Sequence, residues 1–260
     1  MIGVGFRSEM LQWNPTEVRA GFYEVAPENW VRRDRSPLYR LRDAGHAICL
    51  HGVSLNLGGQ GPLNMAFLRE VRALMDDLGA PHYSDHLAAS GDAHQLYDLF
   101  PIPFTEAEAL RVSDRIRAAQ DTLGRRMAVE NTTYYTNIGP LAEAEFLMRV
   151  AERADCGILL DLNNIAVNHK NHGLTSIDAF LARVDLNRVS YLHVAGHEFD
   201  ARFGLYIDTH SARVERSIAQ AAAHVARTWG KDILLEWDND CPDLATLNEE
   251  LTCLQAFTTT

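Results

Sequence analysis

The sequence predicts an α/β fold, a single (β/α)8 barrel over residues 1–260, and three observations carry that expectation. The length of 260 residues matches the roughly 250 of such a barrel. Eight short apolar runs rich in β-branched residues recur at intervals too long for hairpins. Many of the segments between them repeat apolar positions every three or four residues, the period of a helix. No linker rich in Pro, Gly or Ser divides the chain and no internal repeat is visible, so one domain accounts for the whole.

In chain order the first three runs are Val4–Phe6, Phe22–Ala26 and Ala47–His51. A helix over Asn64–Leu78 leads to the fourth, His82–Asp85. Another over Thr105–Leu123, opened by a capping box of Thr105 and Glu108, leads to Met127–Glu130. Leu141–Arg153 is helical before Ile158–Asp161, and Ser176–Val184 before Ser190–Val194, with Ser176 as N-cap. Ser211–Thr228, with Ser211 as N-cap, precedes Ile233–Glu236, and Leu244–Phe257 closes the chain. Eight strands alternating with helices close a parallel barrel, an open doubly wound sheet being the alternative. The turn Gly58-Gly59-Gln60-Gly61-Pro62 lacks the G-K-[ST] ending of a phosphate loop, so it reads as a plain loop.

Composition narrows the function. With 47% hydrophobic and 23% charged residues the chain is an ordinary globular protein, neither disordered nor fibrous. Its 24 basic and 35 acidic residues leave a net charge of −11, which repels a nucleic-acid backbone. No apolar run reaches the roughly 18 residues that span a bilayer, and the opening MIGVGFRSEM has no signal-peptide pattern. The cysteines Cys49, Cys156, Cys241 and Cys253 are far apart, so neither a disulfide framework nor a zinc ribbon is expected, and a reducing cytoplasm is the simplest compartment.

In such a barrel the active site lies at the carboxyl ends of the strands, and ligating residues collect there. Strand three ends with His51, strand four with Asp85 and His86, and strand five with Glu130 and Asn131. Strand six ends with Asp161, Asn163 and Asn164, strand seven with His193 and His197, and strand eight with Glu236 and Asp238. Beyond strand seven, IDTHS puts Asp208 and His210 on one side if the segment is extended. Any one of these could be a turn residue or helix cap. Together they would be very costly to bury without divalent cations, which neutralise carboxylates and coordinate imidazoles. His46 and His82 precede strands, His94 lies in a loop, His224 in a helix, and His169 and His172 in a mobile polar loop after strand six. Cys49 shares the parity of His51 and reads as barrel core below the site. The donors are imidazole, carboxylate and amide oxygen, which suit iron, manganese or zinc alike.

The ordered string LHGVSL, SDHL, VEN, DLNN, HVAGH, DTH and LLEWD, with FYEVAPEN near the start, closely resembles the DUF692 family, multinuclear non-haem iron-dependent oxidative enzymes within the xylose isomerase-like and endonuclease IV-like barrels. The resemblance covers nearly the whole chain. It implies a first metal on His51, His86 and Glu130, with Glu130 bridging to a second on Asp161, His193 and Glu236, and a third on Asn164, Asp208 and His210. Asn164 stands where endonuclease IV has a histidine, which implies a looser third site. His197 and Asp238 are then candidate catalytic residues beside the ligands, and Asn131 and Asn163 candidate substrate contacts.

The resemblance further implies two or three irons of mixed Fe(II)/Fe(III) state, O2 as co-substrate, and oxidation of a ribosomally made precursor peptide, usually at cysteine, often with a partner protein that delivers it. A metal-dependent hydrolase or nuclease, a sugar isomerase, and a non-enzymatic metal-binding partner protein are the competing readings. No strand ends in the lysine an isomerase could use.

Overall fold

A computed structural model describes residues 1–91, 95–136 and 139–259; the loop expected at His94 lies outside them. The strands are β1 Ile2–Gly5, β2 Phe22–Val25, β3 Ala47–Gly52, β4 Tyr83–His86, β5 Ala89–Gly91, β6 Gln95–Phe100, β7 Ala128–Glu130, β8 Gly157–Asp161, β9 Val189–Val194, β10 Glu198–Asp200, β11 Leu205–Ile207 and β12 Ile233–Leu235. The helices are α1 Ser36–Asp43, α2 Met65–Leu78, α3 Glu106–Leu123, α4 Glu143–Ala154, α5 Leu162–His172, α6 Ile177–Leu181, α7 Arg216–Trp229 and α8 Leu244–Thr259. Strands β1, β2, β3, β4, β7, β8, β9 and β12 close a parallel barrel in chain order, and each expected run lies on one of them. The fold is the predicted (β/α)8 barrel, with β5–β6 and β10–β11 added as antiparallel hairpins at its rim.

Two apolar layers hold the barrel together. The larger lies between strands and helices and includes Val4, Leu50, Leu68, Ile116, Leu147, Leu192 and Leu251. The smaller fills the barrel interior with Phe22, Cys49, Ala128, Leu159, Tyr191 and Leu234, one side chain from each of six strands. Cys49 is thus core packing, as its parity indicated, and burial pushes its thiol up to about 12. Strand β1 contributes glycine instead: a Cβ on Gly3 would lie 2.5 Å from the Phe22 ring, and one on Gly5 would meet the Arg7 guanidinium at 2.8 Å. The missing side chains leave Phe22 and Arg7 room.

Helix starts follow their caps in part. Asn64 accepts from Phe67 N and Ser176 from Ala179 N. Thr105 accepts from Glu108 N, but Glu108 turns to Arg111 and Thr105 N donates to the Pro103 carbonyl, so only half of the capping box forms. Ser211 is not a cap: α7 begins at Arg216 behind Glu215, and the Ser211 hydroxyl donates to Thr209 instead.

Two helices were not legible. Helix α1 buries only Leu38 and Leu41, too few apolar positions to show a period. Helix α5 is rich in asparagine, a poor helix former, and overturns the expected mobile loop at His169 and His172. It is capped by Asp161 and ended by left-handed Gly173, and its first seven residues are buried.

The glycine-rich turn is a loop, and its chemistry is the reverse of a phosphate cradle. From α3, Arg111 donates to the carbonyls of Gly58 and Gly59 at 2.8 Å each. Arg115 donates to those of Asn56, Leu57 and Gly61 at 2.7–2.9 Å. Phosphate loops present N–H groups; this one presents oxygens, already taken by arginine.

Candidate metal centre

The site is the next layer up the same strands. Two residues beyond each interior apolar residue, on the same face, stand Glu24 after Phe22, His51 after Cys49, Glu130 after Ala128, Asp161 after Leu159, His193 after Tyr191 and Glu236 after Leu234. All six are buried, and β4 adds Ser84 and His86 by the same parity.

The first cluster is two imidazoles on one carboxylate oxygen. His51 Nε2 and His86 Nε2 lie 3.1 and 3.2 Å from Glu130 Oε2 and 3.4 Å from each other. Their other nitrogens are held from behind, His51 Nδ1 by the Ser84 hydroxyl at 2.9 Å and His86 Nδ1 by the Gly52 carbonyl at 3.1 Å. A carbonyl only accepts, so His86 carries its proton on Nδ1 and turns the Nε2 lone pair to the site.

The second cluster is Glu130, Asp161, His193 and Glu236, with ligating atoms within 4.8 Å of one another. His193 Nδ1 lies 3.2 Å from Glu130 Oε1 and 3.1 Å from Glu236 Oε2. On its far side His193 Nε2 meets Glu24 Oε2 at 2.8 Å, and the Tyr191 hydroxyl donates to the same oxygen. Glu24 therefore fixes both the ring and its tautomer. Asp161 spends Oδ1 capping α5 at Asn164 N, 2.6 Å away, leaving Oδ2 for the site. Asn131 brackets Asp161 with two bonds of 2.9 Å, donating to its carbonyl and accepting from its N–H.

The third group centres on His210, held in left-handed backbone at φ 48°. Its Nε2 lies 2.8 Å from Asp208 Oδ1, and its Nδ1 lies 3.8 Å from Glu236 and 3.4 Å from Asp238. His210, Glu236 and Asp238 form the compact ligating set here. Asn164 approaches Asp208 through Thr133, whose hydroxyl contacts the Oδ1 of Asn164 and, at 3.3 Å, Oδ2 of Asp208. Arg7, two residues beyond the end of β1, closes the group by an ion pair with Asp238. His197 stands behind: its Nδ1 meets Asn163 Oδ1 at 2.7 Å, Asn163 donates to Asp208 at 2.6 Å, and His197 Nε2 faces Lys170 and Glu215. Asn131 and Asn163, expected at the substrate, thus spend their amides on Asp161 and on His197 and Asp208. Glu24, Arg7 and Thr133 were not singled out from the sequence. Glu24 carried a signal, being the polar residue two beyond an interior Phe on an otherwise apolar strand.

The residues fit metal ions. Among the described residues eleven buried side-chain polar atoms lack a hydrogen-bond partner, and five of them converge here: Glu130 Oε2, Asp161 Oδ2, His193 Nδ1, His210 Nε2 and Glu236 Oε2. Orphans cost about 1–3 kcal/mol each, and cations bound in the separate clusters would satisfy them. Charge gives the same answer. Burial, then the charges of Glu130, Glu236 and Asp208, push the Asp161 carboxyl well above its ordinary value. Burial opposes a charge on His193, yet Glu236 and Glu24 hold its imidazole well above the ordinary value. Protons thus stand in for metal, and binding must release them.

The segment after β7 that carries Thr133 is pinned from α5 and α4. His172 Nε2 bonds the Tyr134 carbonyl at 2.7 Å and the two rings stack at 5.0 Å. Asn168 accepts from Tyr134 N and donates to the Thr132 carbonyl and Glu143. The Glu143 residue keeps some surface, but its carboxyl is enclosed, and burial pushes it from 4.5 up to about 8. The folded chain then binds more protons than the unfolded one between those values. The stability this lends is full below about 4.5 and is lost as pH rises through about 8. Glu143→Gln, which mimics the protonated acid, is expected to melt near the wild type at about pH 5 and about 5 °C or more higher at about pH 9. Calorimetry showing the variant less stable at the higher pH would refute this role.

A profile of the RiPP precursor modification enzymes MbnB/TglH/ChrH, RiPP denoting a ribosomally made and modified peptide, matches residues 1–259. A UPF0276 protein of Pseudomonas aeruginosa (strain UCBPP-PA14) is 40% identical over 255 residues, spanning 95% of this chain and 89% of its own. Among solved structures, D-psicose 3-epimerase superposes with a TM-score of 0.66 at 11% identity, over 99% of this chain and 97% of its own. A xylose isomerase-like TIM barrel protein from Mycobacterium smegmatis, in complex with magnesium, gives 0.59 at 16% identity, over 96% and 88%. Identities this low support the shared barrel alone.

Proposed function

The chain belongs to the MbnB/TglH/ChrH family of RiPP precursor modification enzymes, and from that premise we propose that it oxidises a precursor peptide at cysteine, using O2 and two or three irons of mixed Fe(II)/Fe(III) state. The observation that carries the reading is the first cluster. Two histidines and one carboxylate meeting at one point match the facial triad that leaves open positions on non-haem Fe(II). When bound, iron would supply redox chemistry with O2 and lower the pKa of a substrate thiol.

The chain's own residues supply position and charge. His51, His86 and Glu130 would hold one ion; Glu130, Asp161, His193 and Glu236 a second; His210 a third, with Asp208 and Asn164 on one side and Glu236 and Asp238 on the other. A cavity of about 480 Å³ opens over these clusters, large enough for a cysteine and its neighbours. Holding the thiol beside the ions supplies the orientation such a step needs. His197 is a positioning residue in this scheme, and Asp238 borders the third ion itself. Asp238 is paired with Arg7, and His197 with Lys170 and Glu215. A partner protein that delivers the peptide belongs to the same proposal. No helix among the described residues is long and apolar enough to cross a membrane.

The test is anaerobic purification with metal analysis, followed by oxygen uptake on cysteine-containing precursor peptides encoded near this gene. The expected result is about two to three irons per chain and uptake that depends on the cysteine. Zinc without ferrous enrichment, and no uptake with any such peptide, would overturn it, and cleavage of abasic DNA would favour a nuclease.

A further inference from the structure

The cavity over the clusters has a second set of orphaned polar atoms that no metal role explains. Besides the ligands, its wall carries Glu28, Ser54, Ser90, Val53 and Leu99. Glu28 stands in the turn Pro27–Asn29 after β2, within the FYEVAPEN motif. One of its oxygens is fixed: Oε1 accepts from Val53 N at 2.9 Å, Ser54 N at 3.0 Å and the Ser54 hydroxyl at 2.6 Å. The other, Oε2, is buried without a partner, and so is the hydroxyl oxygen of Ser90. Among the described residues no basic side chain pairs with Glu28, whereas the other charged pair on this wall, Arg7 with Asp238, is already matched. The neighbouring Asp85 is acidic too and accepts from Tyr83, Leu55 N and His86 N.

A carboxylate held rigid by three donors on one oxygen and given none on the other is poorly arranged for stability alone. It is well arranged to receive a donor from an occupant. We propose that Glu28, with Ser90 on the wall of the same cavity, is a specificity-determining subsite that takes an N–H donor of the substrate peptide next to the residue that reacts. The donor is either a basic side chain or a main-chain amide; both present N–H to Oε2, and a cation would also neutralise the unpaired charge. The inference rests on the peptide-oxidising reading and adds which residue reads the peptide.

The experiment uses the metal-loaded, anaerobic protein and the cysteine peptide that the wild type oxidises. Glu28→Gln keeps an oxygen for Val53 N and Ser54 N and replaces Oε2 by a donor. The expected result is unchanged metal content, a melting temperature equal to or above the wild type's, and peptide Kd raised at least about tenfold. If the rise is confined to peptides with Lys or Arg flanking the cysteine and vanishes when that residue is Ala, the donor is the basic side chain. If it is the same for all peptides, the donor is the main chain. Wild-type Kd in both Glu28→Gln and Glu28→Ala overturns the subsite. A drop in Glu28→Gln melting temperature with no change in Kd does so too, by assigning Glu28 a structural role. Failure of the underlying reading looks different, since the wild type itself would then neither bind nor oxidise any cysteine peptide.

Discussion

Replacing Glu130 by glutamine is expected to abolish activity by about 10³-fold or more and to lower metal content by about half or more. Glu130 is the one residue common to the first two clusters. Its Oε2 faces His51 and His86 and its Oε1 faces His193. Glutamine keeps the shape, removes the charge, and turns a donor toward lone pairs meant for a cation. Without metal the variant should already melt below the wild type: burial opposes the Glu130 charge, yet His86 and His51 hold its carboxyl well below the ordinary value, so at neutral pH the ionised form stabilises the fold and glutamine loses that contribution. With metal supplied the gap should widen, since binding to the native state stabilises the wild type. Melting curves with and without Fe(II), beside elemental analysis, check both halves. A fully metallated, active Glu130→Gln protein would refute the bridging role.

The second large effect is expected at Glu24, which touches no proposed ion. Glu24→Ala strands two buried donors, the Tyr191 hydroxyl and His193 Nε2. Each should cost about 1–3 kcal/mol. It also frees the His193 tautomer, so Nδ1 no longer reliably presents a lone pair, and metal affinity should fall about 10–100-fold. Glu24→Gln retains one oxygen able to accept both bonds and should recover most of the stability and a smaller part of the affinity. That split between stability and affinity separates positioning from packing. Equal losses of both in the glutamine variant would show packing alone.

The barrel and its ligand layer were legible because one rule governs both. A strand buried on both faces reads as an apolar run, and the residue that breaks the run at its carboxyl end belongs to the site. His51, Glu130, Asp161, His193 and Glu236 all break a run in this way, two residues above an interior neighbour. Glu24 follows the same rule, but a lone Glu on a short strand also reads as a solvent-facing residue, and only the register, with Glu24 beside Cys49, removes that ambiguity. Arg7 was invisible for a different reason: its partner Asp238 is 231 residues away, and the barrel alone brings the first and last strands together. Thr133 lies in an irregular segment whose path is set by Asn168 and His172, contacts with no sequence period. Helix α5 and the rim hairpins escaped because asparagine-rich and short polar segments resemble loops when read locally.

The join between β8 and α5 bears on how such a site can change over evolution or in the laboratory. Asp161 ends the strand and caps the helix, so no connecting residue exists to lengthen. One residue inserted after it would turn α5 by about 100°, carrying Asn164 away from the oxygen it caps on and Asn163 away from Asp208 and His197. This stretch of the rim is closed to insertion. New substrates are more readily accommodated at the β4–α3 connection, whose β5–β6 hairpin can lengthen, shorten or be exchanged, whereas the β10–β11 hairpin runs straight into Asp208 and His210.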